Sequence, residues 1–527
     1  MLIQIIRVMF NKNSLVMKYF YSLCFLLFAP TFSGYAQTSP SELNHAGFFK
    51  WNDELNDMFH EVVTLKFNTV IPRLIEEKKQ NTLNLIPHYL EDYVDFFYAF
   101  IDGKPKDIYG KYLKRKEERL LWLEQGAEGD PYTLFTQADI HLRWGMIYAL
   151  FQDNMEAFKS IKKASVLLER NNKKFPNFLP NKRAMGILHT MVGAIPGKYR
   201  WGASLVGLRG NVAQGLSEIA EVIDHGKHHQ EFEFNEEVQV IYGMLLLYMG
   251  NNDLKAWGAI NTEILDFSKN PMAAYILANR SIKTGKSKQA LLILDKYPKG
   301  EEYYYFPYMD VINGMCKLYR LDLDSEEDFN KFLARYKGVN GIKEAYHRLA
   351  WISLLKKDES KYRYYMSLVE KKGEYNTSQD RTAMNEMEEA KQKNVLNINL
   401  LQARLLYDGG YYYKAYNTLK ACDSKTLKTE QEKIEYTYRT GRILQEMKKN
   451  DDALRSYAET IDKGTKKPYY YACNAALQSG KIHESRDELE QAKEFYEKCL
   501  KEKPDQYQVS LHSQAKERLE ALKKKKK

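Results

Sequence analysis

Proline and cysteine are scarce in this chain, and it contains no alternating run rich in Val, Ile and Thr. Fourteen prolines in 527 residues leave room for long uninterrupted helices, because proline removes a backbone donor and clashes inside a helix. The missing alternation removes the two-residue period of a half-buried strand. Five cysteines without close spacing give no thiolate metal module. No His-Glu-x-x-His motif, no Gly-Lys-Ser/Thr phosphate loop after a strand and no nucleophile elbow is present. Long apolar runs are missing as well; the run at 19–30 is too short to span a bilayer comfortably. The acids sit mostly in ordinary helical charge pairs. These absences predict a protein without catalysis, without a cofactor and without a metal centre.

What the chain does have is a recurring spacing. A small residue is followed twelve positions later by alanine, and four positions after that by a large apolar residue. The copies are Gly145, Ala157 and Ile161; Ala278, Ala290 and Leu294; Ala403, Ala415 and Leu419; Gly441, Ala453 and Tyr457; and Gly480, Ala492 and Tyr496. Twelve residues is about one repeat helix plus a tight turn. The small residues let two antiparallel helices approach, and the large one fills the seam. The pattern resembles the eighth, twentieth and twenty-fourth positions of the tetratricopeptide repeat, and Pro504 adds the thirty-second. The expected fold is an all-α superhelical solenoid of antiparallel helix pairs. At 527 residues one compact core would be too large, whereas a solenoid packs each repeat only on its neighbours.

The amino terminus reads as an address. Lys18, the apolar run and Gly34-Tyr35-Ala36 before Gln37 predict a secretory signal peptide over 1–36. A retained membrane anchor is the alternative. Export makes the expected location periplasmic or secreted, with no integral membrane segment after cleavage. Removing Arg7, Lys12 and Lys18 from 79 Lys and Arg leaves 76 against 69 Asp and Glu, a net +7. Five of those charges are Lys523 to Lys527, so the body is nearly neutral and predicts no nucleic-acid partner. The lysine tail at 522–527 is expected to be a solvated end. Of the remaining cysteines, Cys473 and Cys499 fall on the two helices of the last repeat and form the one pair worth testing for a disulfide.

Along the chain, helical repeats are expected over 37–185, a glycine-punctuated helical insert over 186–235, looser repeats over 236–372, a polar linker over 373–386 and regular repeats over 387–521. Gly186, Gly193, Gly197, Gly202, Gly207, Gly210 and Gly215, with Pro196, argue against a regular helix pair in the insert. Close packing of the backbone explains these glycines more simply than a phosphate cradle. Gly186, Pro196, Gly207, Gly210, Asn211, Gly215 and Leu216 also resemble the turn of the tetratricopeptide-repeat-39, or inclusion-body-clearance, family. Tyr305 to Tyr308 with Gly314, and Lys343 to Tyr346 leading into Leu349 to Trp351, extend that likeness over roughly residues 131–522. The resemblance implies a non-enzymatic helical-repeat protein tied to lipid handling and aggregate clearance; the leader departs from that family's intracellular setting.

Two constellations remain. His225, His228 and His229, with Asp224 and Glu231, place two imidazoles at i, i+4, a spacing able to hold zinc, but Gly226 interrupts them and the segment reads as an inter-helix loop. In tetratricopeptide folds the ninth position of each first helix points into the inner groove. That position is Arg404, Arg442 and Lys481 in the last three repeats, with Leu400, Tyr407, Tyr438 and Leu477 at the fifth and twelfth. Stacked cations would hold an acidic segment or a terminal carboxylate. A solvated basic face is the plain alternative. The function expected is an exported scaffold binding a protein or peptide partner. A carrier of lipid or another hydrophobic ligand is the rival, and would need an enclosed apolar pocket beneath the glycine block.

Overall fold

A computed structural model describes residues 47–104, 108–195, 203–204, 207–229, 231–249, 254–260, 262–391 and 395–525. The predicted leader and the Pro196 to Gly202 turn lie outside these residues. Among the described residues β pairing is limited to isolated bridges, Gly47 with Gly126 and Phe48 with Asn84.

Everything else regular is helical. Helices α1 (Asp53–Val63), α2 (Phe67–Gln80), α3 (Ile86–Asp102) and α4 (Tyr109–Leu123) precede the first copy of the spacing. That copy is α5 (Pro131–Leu150) with α6 (Asn154–Lys174). Next come α7 (Leu179–Gly193), α8 (Val212–His228), α9 (Asn235–Met249) and the short α10 (Leu254–Gly258). The middle pairs are α11 (Pro271–Lys283) with α12 (Ser287–Lys296), α13 (Tyr308–Tyr319) with α14 (Ser325–Arg335), and α15 (Ile342–Leu355) with α16 (Glu359–Lys371). After α17 (Ser378–Lys391) stand α18 (Ile398–Asp408) with α19 (Tyr412–Lys420), α20 (Glu430–Glu446) with α21 (Asn450–Gly464), and α22 (Tyr471–Ser485) with α23 (Leu489–Lys501). Helix α24 (Gln508–Lys525) ends the array, carrying helix into the expected lysine tail. Consecutive helices pack in pairs and each pair packs on the next, giving the all-α repeat solenoid that the spacing predicts.

Side-chain caps start many of these helices. Asn52, Asp130, Asn270 and Asn397 accept from first-turn amides, and Thr429 with Glu432 forms a capping box on α20. The seams then follow the sequence spacing. A Cβ on Gly145 would lie 2.9 Å from Ile161 Cγ1, one on Gly441 2.6 Å from the Tyr457 ring, and one on Gly480 2.5 Å from the Tyr496 ring. Each small residue is therefore the floor on which the large one rests. The two buried tyrosines keep their hydroxyls bonded: Tyr457 donates to Gln445 and Tyr496 to Glu484, both at 2.6 Å and both from the neighbouring first helix.

Two expectations about organisation need correction. Residues 186–235 contain a tight helix pair, α7 on α8, despite their glycines. A Cβ on Gly186 would stand 2.6 Å from Ile219 Cγ1 and 2.9 Å from the Gly215 carbonyl oxygen. Glycine's low helix propensity is outweighed because only a bare backbone permits this approach. The polar stretch 373–386 is not simply a linker either, since α17 begins inside it and packs on α15 and α16. Asp380 of α17 is fully buried and caps α15 from outside, accepting from the Gly341 amide at 2.9 Å and the Glu344 amide at 3.1 Å.

In the amino-terminal half, a buried charge network ties α3, α5, α7 and α9 together. Arg183 donates to Asp139 at 2.8 Å and to Glu237 at 2.9 Å, and Arg143 reaches Asp92 at 2.8 Å and also pairs with Asp139. Tyr89 and Tyr93 complete it through Asp139 at 2.7 Å and Glu237 at 2.9 Å. Removing one member would strand an opposite charge inside the protein, at a cost of about 3–5 kcal/mol. The superhelix also touches itself. Ser287 Oγ donates to the Gly409 carbonyl at 2.7 Å, the Tyr304 amide to Leu65 at 2.7 Å and the Val339 amide to Gly103 at 3.2 Å. Gly410, at φ +83°, lies so close to Gly285 that a side chain there would collide with its carbonyl.

Candidate functional site

Helices α18, α20 and α22, the first helices of the last three pairs, stand side by side and touch in succession. This layer brings Arg404, Tyr407, Tyr438, Arg442 and Lys481 together in one row, but gives them unequal surroundings.

Arg404 is already occupied. Its Nη1 donates to Glu386 Oε1 at 2.7 Å, and its guanidinium lies 4.8 Å from the Trp351 ring centre. Glu386, from α17, also meets His347 Nε2 at 2.7 Å and Trp351 Nε1 at 3.0 Å. Burial pushes the Glu386 carboxyl up, but His347 and Arg404 overrule it and hold it well below the usual carboxylate range. Burial keeps the His347 imidazole below its ordinary value, so it serves this carboxylate as a neutral N–H donor.

Arg442 differs. Its Nη2 donates to Tyr407 Oη at 2.6 Å and its Nη1 to Tyr438 Oη at 3.0 Å, with its guanidinium 5.1 Å from the Tyr407 ring centre. Asn474 Nδ2 donates to the same Tyr438 hydroxyl at 2.7 Å, which fixes the phenol from the next helix. Lys481 Nζ meets Gln514 Oε1 at 3.2 Å. Burial, then the fields of Arg518 and Arg442, lowers the Lys481 ammonium to about 8. Among the described residues no carboxylate forms an ion pair with Arg442 or Lys481. Asp408 lies in the field of Arg404, Arg439, Arg442 and Arg348, yet burial outweighs them and raises its carboxyl. The row therefore offers two cations, with Asp408 in the field of Arg442 and Glu484 in that of Lys481, beside two neutral phenol groups.

Leu400 and Leu477 do not supply groove contact area as expected. Both are buried in the apolar clusters of their own repeats, and so is the Tyr438 ring, which leaves its hydroxyl as the usable part. Glu386 and His347 were not foreseen from the sequence, and Trp351 only as part of the family likeness, because they belong to α15 and α17, outside the repeats with regular spacing. The one local signal was Arg348 and Trp351 at i, i+3 on α15; nothing in the sequence joined them to Glu386 on α17.

The other candidates are weaker. His225 and His229 lie at the end of α8 and just beyond it rather than in an open loop, and their rings stack at 4.1 Å. His229 Nδ1 meets Glu231 at 3.1 Å. Among the described residues, no three His, Cys, Asp or Glu side chains are grouped so as to hold a metal ion. Beneath the glycine block is a cleft of about 260 Å³ whose walls include Glu169, His189 and Arg209, mixed in polarity rather than apolar. A mostly apolar cavity of about 70 Å³ lies elsewhere, among Phe96, Phe97, Met146, Val240, Met244 and Met272, with Glu237 at its wall. Among the described residues no helix is long and apolar enough to cross a membrane.

A scan against protein-family models finds no match to this chain, and a search of curated proteins finds none either.

Proposed function

We propose that this protein is an exported, non-enzymatic scaffold of tetratricopeptide-like repeats that holds an acidic peptide segment, or a chain-terminal carboxylate, against α18, α20 and α22. The observation that carries the reading is the pair Arg442 and Lys481: two neighbouring cations on the inner helices whose hydrogen bonds go to the neutral groups Tyr407, Tyr438 and Gln514. The phenol partners of Arg442 carry no opposite charge, so an incoming carboxylate adds charge attraction to the hydrogen bonds it accepts. Tyr407 and Tyr438 fix the guanidinium before the ligand arrives, which lowers the ordering cost of binding. The leader supports export, and the five-fold spacing supports membership of the tetratricopeptide class.

The test is fluorescence anisotropy with a labelled, glutamate-rich peptide ending in a free carboxylate, its amidated form and a lysine-rich control. Arg442→Gln/Lys481→Gln is expected to weaken the acidic peptide at least tenfold while leaving the far-ultraviolet spectrum unchanged. Equal binding of all three peptides, or no loss in the double variant, would overturn the reading. Carriage of a hydrophobic ligand has the apolar cavity on its side.

A further inference from the structure

Cys473 and Cys499 face each other across the seam of the last helix pair, α22 on α23. Their Sγ atoms are 3.5 Å apart, both residues are fully buried and both are free thiols. Among the described residues the other two cysteines have no such neighbour: Cys316 is buried in another repeat, and Cys422 is partly exposed with Thr426 Oγ1 at 3.3 Å. Ala475, Ala476 and Ala492 belong to the same buried cluster as the pair, together with the larger Leu477, Tyr496 and Leu511. A disulfide needs a sulfur separation of about 2.05 Å, so roughly 1.5 Å of closure joins the helices. The terminal helix α24 covers the site, with the Leu511 carbonyl 4.0 Å from Cys499 Sγ. End elements open at low free-energy cost, which gives an oxidant a route to thiols that are closed off in the resting fold.

We propose that Cys473 and Cys499 are a redox-responsive dithiol that closes to a disulfide and staples the last helix pair. The oxidant is a small-molecule disulfide. One cysteine thiolate attacks it, forming a mixed disulfide and releasing one small thiol; the second cysteine displaces the other small thiol and completes the Cys473–Cys499 bond. The two cysteine hydrogens leave on the two released thiols, and the two electrons reduce the small disulfide. The bond closes a loop of some 25 residues, which restricts the unfolded chain and so stabilises these repeats.

The test incubates the folded, full-length protein with oxidised glutathione, then alkylates it in denaturant and maps its peptides by mass spectrometry. The expected product is lighter by two hydrogens, carries a single cross-linked peptide containing residues 473 and 499, and keeps Cys316 and Cys422 alkylated. Its thermal midpoint falls when reductant is added, and that dependence vanishes in Cys499→Ser. If Cys499→Ser fails to fold, Cys316→Ser/Cys422→Ser takes its place and must still form the same cross-link. Alkylation of both Cys473 and Cys499 after prolonged incubation, a cross-link to Cys422, or a stable mixed disulfide at either residue would overturn the proposal.

Discussion

Arg404 and Arg442 occupy the same register of successive helix pairs, yet they meet different chemistry. Arg404 is paired with Glu386, while Arg442 is held between two phenols. At the residue scale the pH dependence of binding follows from Lys481. Its folded value of about 8 lies below the ordinary lysine range, because burial and two nearby cations disfavour the ammonium. A lowered lysine is charged below that value and neutral above it, so the cost of burying the ammonium weighs on the fold below about pH 8 and is relieved as pH rises from there toward 10.5. Ligand binding runs the opposite way, since the acidic peptide needs the charge. Affinity measured by anisotropy is expected to fall about tenfold between pH 7 and pH 9. Lys481→Arg, charged throughout, should flatten the profile; an unchanged slope in that variant would remove Lys481 from the site.

At the scale of elements, small residues decide how close two helices come. The α7–α8 pair is the extreme case, with Gly186 and Gly215 facing each other's backbone and the Thr190 side chain. Gly215→Ala should destabilise the protein by about 1–3 kcal/mol through overpacking, more than the helix-propensity gain of about 1 kcal/mol returns. Gly110, in the first turn of α4, is the opposite case: a Cβ added there would meet nothing within 4 Å. Gly110→Ala should therefore leave stability unchanged or raise it by up to about 1 kcal/mol. Urea midpoints of the two variants check both signs at once. Two variants shifted alike would mean that the close approach of α7 and α8 is not what the glycines serve.

At the scale of the whole molecule, the buried apolar side chains fall into four clusters in chain order, over residues 49–316, 311–405, 400–443 and 434–522. Clusters in series couple mainly to their neighbours, and stability then sums over repeats rather than forming one all-or-none unit. Urea unfolding followed by tryptophan fluorescence and by far-ultraviolet circular dichroism should give transitions that do not coincide. The carboxy-terminal repeats have no tryptophan after Trp351, so their melting is visible only to circular dichroism. Coincident transitions would show that contacts such as Ser287 with Gly409 and Tyr304 with Leu65 bind the turns of the superhelix into one unit.

The repeat spacing alone determined the helical solenoid, because packing two helices needs a small residue at one fixed place and a large one opposite, and both are local facts of the sequence. It also placed Arg404, Arg442 and Lys481 on one layer. The tertiary structure alone decided which of those cations are free: Glu386 lies 18 residues from Arg404 on another helix, and an ion pair depends on distance in space rather than along the chain. The same reason hid the Arg143–Asp139–Arg183–Glu237 network, drawn from three helices, and the cap that Asp380 provides for α15. Polar composition marked 373–386 as a linker because a capping carboxylate and a solvated one look alike until the helix it caps is in place.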